Sequence, residues 1–301
     1  LLNAKQINNN VDSFKEEIVY VDFNNQRVKT KNSKLIDYDY LILCHGSNVN
    51  TFNIKGVYEN CHFVKNDSHV NFIKDALLKL SNNSNIAVIG CGLTGSEIIG
   101  TLIDYNKFNI HAIDALDRPL ITFDKKLSNY TMDFWKKQNV KTYLNHKVSS
   151  MNNKTIYFDN SCKLDYDLAI WCGGIKKSSL TETILKSLKK QNNKGIPVNS
   201  QLLVESCNNV YAIGDCADAK LIPTAQVAFQ QGNYLATLFN SDFKYNKPFV
   251  FKNKGQIGYI GKNKSVCDLP YFQSGGNIVY YLNRLIHVYN GITYTQKWNL
   301  L

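Results

Sequence analysis

Hydrophobic positions along the chain fall into a pattern that occurs twice. Residues 19–28 read Val-Tyr-Val-Asp-Phe-Asn-Asn-Gln-Arg-Val, an alternation broken by an Asn-Asn turn. After a polar link the chain runs Asp37-Tyr-Asp-Tyr-Leu-Ile-Leu-Cys-His-Gly46. Residues 148–158 alternate again around Asn152-Asn153 and lead through Asp165-Tyr-Asp-Leu-Ala-Ile-Trp-Cys to Gly173-Gly174. Alternation of apolar and polar residues has the period of a half-buried strand. A short, wholly apolar run ending in glycine predicts a buried strand whose carboxyl end meets a ligand. Two similar α/β domains are implied.

The second copy has a front end that the first lacks. Asn85-Ile-Ala-Val-Ile predicts a strand that runs into Gly90-Cys-Gly92-Leu-Thr-Gly95, then an apolar helix from Ile98 to Tyr105 and a second strand, Asn109-Ile-His-Ala-Ile, closing on Asp114. This is the order of a dinucleotide fingerprint. Gly90 makes the tight turn, Gly92 lets a pyrophosphate approach the backbone, Gly95 lets the helix pack on the strand, and Asp114 takes a ribose hydroxyl pair. Free N–H groups and the dipole at the helix start favour the pyrophosphate charge. An acid at 114 would repel a 2′-phosphate and so favours NAD over NADP, although Arg118 lies close by.

Charge adds little. The net charge of +11 would suit an anionic partner, but 38 Asn accompany the lysines, and both residues have A/T-rich codons. The lysines are scattered and form no stripe with aromatics, which argues against nucleic-acid binding. The eight cysteines include no C-x-x-C pair and mostly sit in apolar runs, the pattern of reduced buried thiols, not of a disulfide framework or a metal site. No apolar stretch approaches the ~18 residues of a membrane-spanning helix. Gly90 precedes Asp165 by 75 residues (165 − 90), which places the equivalent glycine of the first copy before residue 1. A missing amino-terminal segment is therefore expected.

Taken together, these residues resemble the flavoproteins in which an NAD domain is inserted within an FAD domain. Asn209-Val-Tyr-Ala-Ile-Gly214-Asp215-Cys-Ala is similar to their second FAD motif, in which Gly214 would let the chain pass the flavin and Asp215 would accept hydrogen bonds from the ribitol. Within that superfamily the chain most resembles the type II NADH:quinone oxidoreductases. The resemblance is carried by Asn50-Thr-Phe-Asn-Ile-Lys-Gly56-Val, Pro223-Thr-Ala225-Gln226-Val-Ala-Phe-Gln230-Gln-Gly232 and Gly255-Gln-Ile-Gly-Tyr-Ile-Gly261. It implies that Ala225 and Gln226 lie against the flavin and that Gln226 and Gln230, four apart on one helix face, grip a quinone carbonyl. It also implies a role for Glu97 where nicotinamide and flavin meet, though an acid early in a helix also serves the dipole. Cys91, Leu93 and Lys55 depart from the usual Gly, Pro and Pro, and the ADP-binding fingerprint of an FAD domain is absent.

The resemblance implies an α/β fold with two Rossmann-like domains and a C-terminal membrane-surface segment. Residues 1–81 and 175–245 would form the FAD-binding domain, with Gly46 at its first strand end. Residues 82–174 would form the NAD domain, with Gly173 at the matching strand end, and 246–301 would form the quinone- and membrane-associating region. Ile278, Leu282, Leu285, Ile286 and Tyr289 stand at helical spacing there, more often the mark of a core helix but fitting an amphipathic helix on a bilayer. The expected activity is FAD-dependent NADH oxidation with two-electron quinone reduction and no proton pumping, at the mitochondrial inner membrane. The resemblance leaves homodimerisation open. Two alternatives stand beside it: a disulfide reductase of the same superfamily, and a truncated, non-catalytic NAD-binding relative.

Overall fold

The computed structural model describes residues 10–290. The chain forms two compact units, one of residues 1–48 and 176–252 and the other of 49–175 and 253–301. These limits differ from the expected boundaries at 81/82 and 245/246.

In the second unit, five parallel strands form one sheet. They are β5 (His62–Phe63), β6 (Asn85–Ile89), β7 (Asn109–Ile113), β8 (Lys141–Tyr143) and β12 (Leu168–Trp171), in the order β5-β12-β6-β7-β8. Residues 49–81, expected to belong to the other domain, thus supply an edge strand here and the helix that follows it, α1 (Asp67–Lys79). Successive strand residues face opposite ways, so each run of apolar residues serves two layers. Ile86, Val88, Ile110, Ala112 and Ile170 join one core with α2 (Leu93–Tyr105) and α3 (Lys125–Lys137), in which Trp135 is fully buried. Ala87, Ile89, Ile113, Ala169 and Trp171 join the other, against the antiparallel sheet β9 (Val148–Met151), β10 (Thr155–Phe158) and β11 (Lys163–Asp165).

The internal repeat is visible in the first unit. Strands β1 (Ile18–Asp22), β2 (Arg27–Thr30) and β3 (Leu35–Asp37) form an antiparallel sheet in which Arg27 pairs with Asp37, as Thr155 pairs with Asp165 in the second. Each sheet leads into a parallel strand. In the first unit this is β4 (Leu41–Leu43), which pairs with β13 (Val210–Ala212). β12 is flanked on both sides and buried throughout, whereas β4, among the described residues, has β13 as its one neighbour and leaves Ile42 42% exposed. The unit also holds α4 (Ser179–Ser187) and α5 (Ala225–Asn240).

Residues 253–290 belong to the second unit. Strands β14 (Gln256–Gly261), β15 (Lys264–Leu269) and β16 (Phe272–Gly276) form an antiparallel sheet, followed by α6 (Asn277–Asn290). Val279 and Asn283 face inward, whereas Ile278, Tyr281 and Leu285 lie exposed at i, i+3 and i+7. The side chains of His287 and Tyr289, and residues 291–301, lie outside the described residues. No described helix is long and apolar enough to cross a membrane.

β14 seats on α2 because Gly100 has no side chain: a Cβ there would stand 2.7 Å from the Gly261 nitrogen and 2.8 Å from the Ile260 carbonyl carbon. Backbone cannot yield as a flexible side chain does, so Gly100→Ala is expected to cost about 1–3 kcal/mol of stability, the range for overpacking. A denaturant midpoint equal to that of the unaltered protein would contradict this seating.

Candidate functional site

The second unit builds a cradle at the carboxyl ends of β6 and β12. The chain turns sharply after β6 at Gly90, whose φ is +96°, and enters α2 through Gly92. A Cβ on Gly90 would lie 2.8 Å from the Gly173 nitrogen, and one on Gly95 would lie 1.8 Å from the Gly90 oxygen. Both glycines are therefore required by the chain's own packing. Gly92 is different: its φ of −66° suits any residue, and a Cβ there meets nothing within 4 Å. The space above Gly92, at a helix start with no acid in its first turn, fits a pyrophosphate.

Asp114 stands beside this turn. Its Oδ2 accepts the Cys91 N–H at 2.6 Å and its Oδ1 accepts the Leu116 N–H at 2.9 Å, so the carboxylate is fixed in place. Each oxygen keeps a lone pair for a hydroxyl partner. Arg118 points elsewhere, donating to the Phe123 and Ile121 carbonyls and to Ser128. Gly173 and Gly174 follow β12, where the Trp171 Nε1–H donates to the Gly173 oxygen at 2.6 Å and to the Asn50 oxygen at 3.0 Å. Phe52 lies over this turn: a Cβ on Gly174 would come within 2.7 Å of its ring. Nothing in the spacing of the Asn50–Val57 segment singles out Phe52, since its place over the turn is set by the distant Gly174.

Glu97 is the fifth residue of α2, beyond the reach of the first-turn dipole. Burial pushes its carboxyl above the usual range, and a hydrogen bond from the Tyr259 N–H opposes that rise.

The first unit gathers a second set of residues at the carboxyl ends of β4 and β13. Gly46 has φ +71° with no atom within 4 Å of a Cβ, and Gly214 has φ +69°. Ser47 Oγ donates to Asp215 Oδ2 at 2.7 Å. The Gly214 N–H donates to Gln231 Oε1 at 2.7 Å, while the Gln231 Nε2 is buried with no partner among the described residues. Neither Ser47 nor Gln231 stood out in the sequence, because each is read only through a partner far along the chain. Thr224 caps α5 by accepting the Val227 N–H, which leaves Ala225 exposed and Gln226 half-buried in its first turn.

The expected amide pair is not equivalent in the structure. Gln230 donates from Nε2 to the Lys252 oxygen at 2.8 Å and accepts the Lys252 N–H on Oε1 at 3.0 Å, a two-way clamp on the backbone. Gln230, which the resemblance places with Gln226 on a quinone carbonyl, here ties α5 to the 252 segment through both ends of its amide. Gln230 also lines a cavity of about 490 Å³ with Tyr234, Phe249 and Val250.

A profile of the pyridine nucleotide-disulphide oxidoreductases matches residues 3–232. The chain belongs to that family. Among curated relatives, a probable NADH dehydrogenase of Dictyostelium discoideum is 29% identical over 289 residues, covering 82% of this chain and 64% of the relative. The external NADH-ubiquinone oxidoreductase 2 of Saccharomyces cerevisiae mitochondria is 26% identical over 297 residues, covering 78% and 54%. The chain thus spans less than two thirds of these relatives' length. In fold it resembles NDH2 from Plasmodium falciparum in complex with NADH, with a TM-score of 0.88 at 23% identity over 95% of this chain and 82% of that one. The sulfide:quinone oxidoreductase of Aquifex aeolicus gives 0.71 at 14% identity, over 92% and 73%. The expected α/β fold of Rossmann type holds in this family member.

All eight cysteines are unpaired. Burial pushes Cys61 and Cys172 to about 12 and Cys216 to about 11, so these thiols stay protonated at neutral pH.

The glycines make separable predictions. Gly92→Ala is expected to leave the thermal midpoint unchanged and to weaken NADH binding at least ~10-fold, about 1.4 kcal/mol, because its methyl would fill the ligand's space. Gly95→Ala is expected to lower the midpoint as well. Undiminished NADH affinity in Gly92→Ala would remove the pyrophosphate from this position.

Proposed function

We propose that this chain carries out the NADH-oxidising, quinone-reducing reaction of a type II NADH:quinone oxidoreductase, with FAD as its resident cofactor. The observation that carries the proposal is the pairing of two ligand-shaped strand ends in one chain. One is the open Gly92 cradle with its fixed Asp114, and the other is the Gly46, Gly214 and Asp215 set with the capped start of α5. The names of the relatives point the same way.

Each residue then has a task. Gly90 and Gly95 shape the turn, Gly92 admits the pyrophosphate of NADH, Asp114 orients a ribose, and the Gly173 turn lies beside them. Gly46 and Gly214 would give room for FAD, Asp215 would accept from its ribitol, and the α5 start with Ala225 would border the same site. The unpartnered Nε2 of buried Gln231 fits this reading, since a polar group so placed gains from an acceptor. When bound, FAD supplies the hydride and electron chemistry; the protein orients the partners and controls access. Gln226 offers its amide to a quinone carbonyl, and Gln230 positions α5 through Lys252. Glu97, a carboxyl raised by burial, stands ready to hold a proton near the dinucleotide.

Quinone is an apolar partner. The exposed Ile278, Tyr281 and Leu285 stripe of α6 is a face suited to a bilayer surface. The mitochondrial relatives support a mitochondrial location, and a peripheral place on the inner membrane is the form of it proposed here. A disulfide acceptor fits less well, because the buried thiols are held protonated.

Anaerobic half-reactions test the assignment. Gln226→Ala is expected to slow reoxidation of the reduced protein by a short-chain quinone ~10-fold, the worth of one hydrogen bond of about 1–1.5 kcal/mol, while reduction by NADH persists. Gln230→Ala is expected to slow the same half-reaction and also to lower stability. Equal loss in both half-reactions would overturn the quinone role.

A further inference from the structure

The ends of three neighbouring strands stand in one row. Trp171 of β12 lies beside Ile89 of β6, and Ile89 lies beside Ile113 of β7. One residue on, the Gly90 N–H donates to the Ile113 oxygen at 2.8 Å and the Cys172 N–H donates to the Ile89 oxygen at 2.7 Å. The row therefore continues as Asp114, Gly90 and the Gly173–Gly174 turn. A dinucleotide with its pyrophosphate above Gly92 and its adenosine ribose on Asp114 occupies the middle strand and one side. Its nicotinamide-bearing half then runs to the other side, over the end of β12.

The end of β12 is covered by the loop at 50–53. The Trp171 Nε1–H donates to the Gly173 oxygen at 2.6 Å and to the Asn50 oxygen at 3.0 Å, and the Asn50 N–H donates to the Gly174 oxygen at 3.2 Å. Loop and turn are thus tied together at both Asn50 backbone groups. The Phe52 N–H donates to the Asn50 side chain at 2.9 Å, and Phe52 and Asn53 both take left-handed backbone, with φ of +52° and +56°. A bulky residue rarely holds that conformation without a gain elsewhere. Burial supplies little of it, because Phe52 stays 60% exposed. Its ring lies directly on the turn: a Cβ on Gly174, whose φ is +68°, would stand 2.7 Å from the ring Cζ.

We propose that Phe52 is a binding residue for the nicotinamide-bearing half of the dinucleotide, its ring the apolar wall against which that half lies, and that Trp171 is the positioning residue that fixes this wall through its indole N–H. The wall suits such a ligand. An aromatic face offers contact area to a flat ring, and it accepts both the cationic oxidised nicotinamide and the neutral reduced one. The inference rests on the dinucleotide site proposed above and adds the residues of its second half.

NAD+ and ADP, neither of which reduces a flavin, are titrated by calorimetry into the purified protein with FAD present. ADP carries the adenosine ribose and two phosphates but no nicotinamide half. Phe52→Ala is expected to weaken NAD+ binding ~5-fold or more, the worth of one aromatic contact, while ADP binding and the thermal midpoint stay unchanged. Phe52→Tyr keeps the ring and is expected to retain the NAD+ affinity. Trp171→Phe, which deletes the indole N–H, is expected to weaken NAD+ more than ADP. An unchanged NAD+ affinity in Phe52→Ala, or equal losses for NAD+ and ADP in either weakened variant, would overturn the proposal. An unaltered protein that binds neither ligand would remove the dinucleotide reading itself, and this inference with it.

Discussion

The second unit depends on how closely α2 approaches the end of β6. A Cβ on Gly95 would fall 1.8 Å from the Gly90 oxygen, well inside any tolerable contact, so helix and turn meet backbone to backbone. That approach brings the open Gly92 position and the amide groups of the helix start to the sheet edge where β7 delivers Asp114. It also sets the height of α2 above the sheet, and hence the plane on which β14 can lie. The Gly100 contact repeats the device five residues later: side chains are omitted where two layers must touch, and buried apolar residues such as Ile99, Leu102 and Ile103 fill the spaces between.

The repeated strand pattern and the fingerprint were legible in the sequence because they are local. Alternation sets which face a strand residue takes, and glycine marks the places where the backbone must turn or approach. The hairpin sheets around Asp37 and Asp165, the strands after them and the Gly90–Asp114 order all appear where the pattern put them. The amphipathic helix at 277–290 was likewise periodic, but periodicity alone could not say that Val279 and Asn283 face inward while Ile278 and Leu285 do not. That choice is made by the β14–β16 sheet beneath, which the sequence reading did not describe.

What the sequence hid are pairings between distant residues. Gln230 looked like a twin of Gln226 from spacing, yet its amide is engaged by a backbone 22 residues on. Ser47 and Asp215 are 168 apart, Tyr259 and Asp104 155 apart, and no local rule joins them. The domain limits shifted for the same reason: β5 carries few residues of its own and is assigned by its pairing with β12.

The family scaffold accommodates thiol and quinone acceptors, and the difference must lie in groups near the reduced cofactor. A disulfide acceptor needs a thiolate, which burial opposes: Cys172 sits at the strand end beside the dinucleotide turn with its thiol pushed to about 12, a packing residue. A quinone acceptor needs hydrogen-bond donors that do not themselves react and a surface through which an apolar molecule arrives. On the function proposed above, the neutral amide of Gln226, held in the first turn of a capped helix, would meet the first need, and the apolar outer stripe of α6 would meet the second. On the reading proposed here, acceptor choice is made by which polar groups the fold leaves protonated or neutral and not by the dinucleotide site, which either chemistry would share.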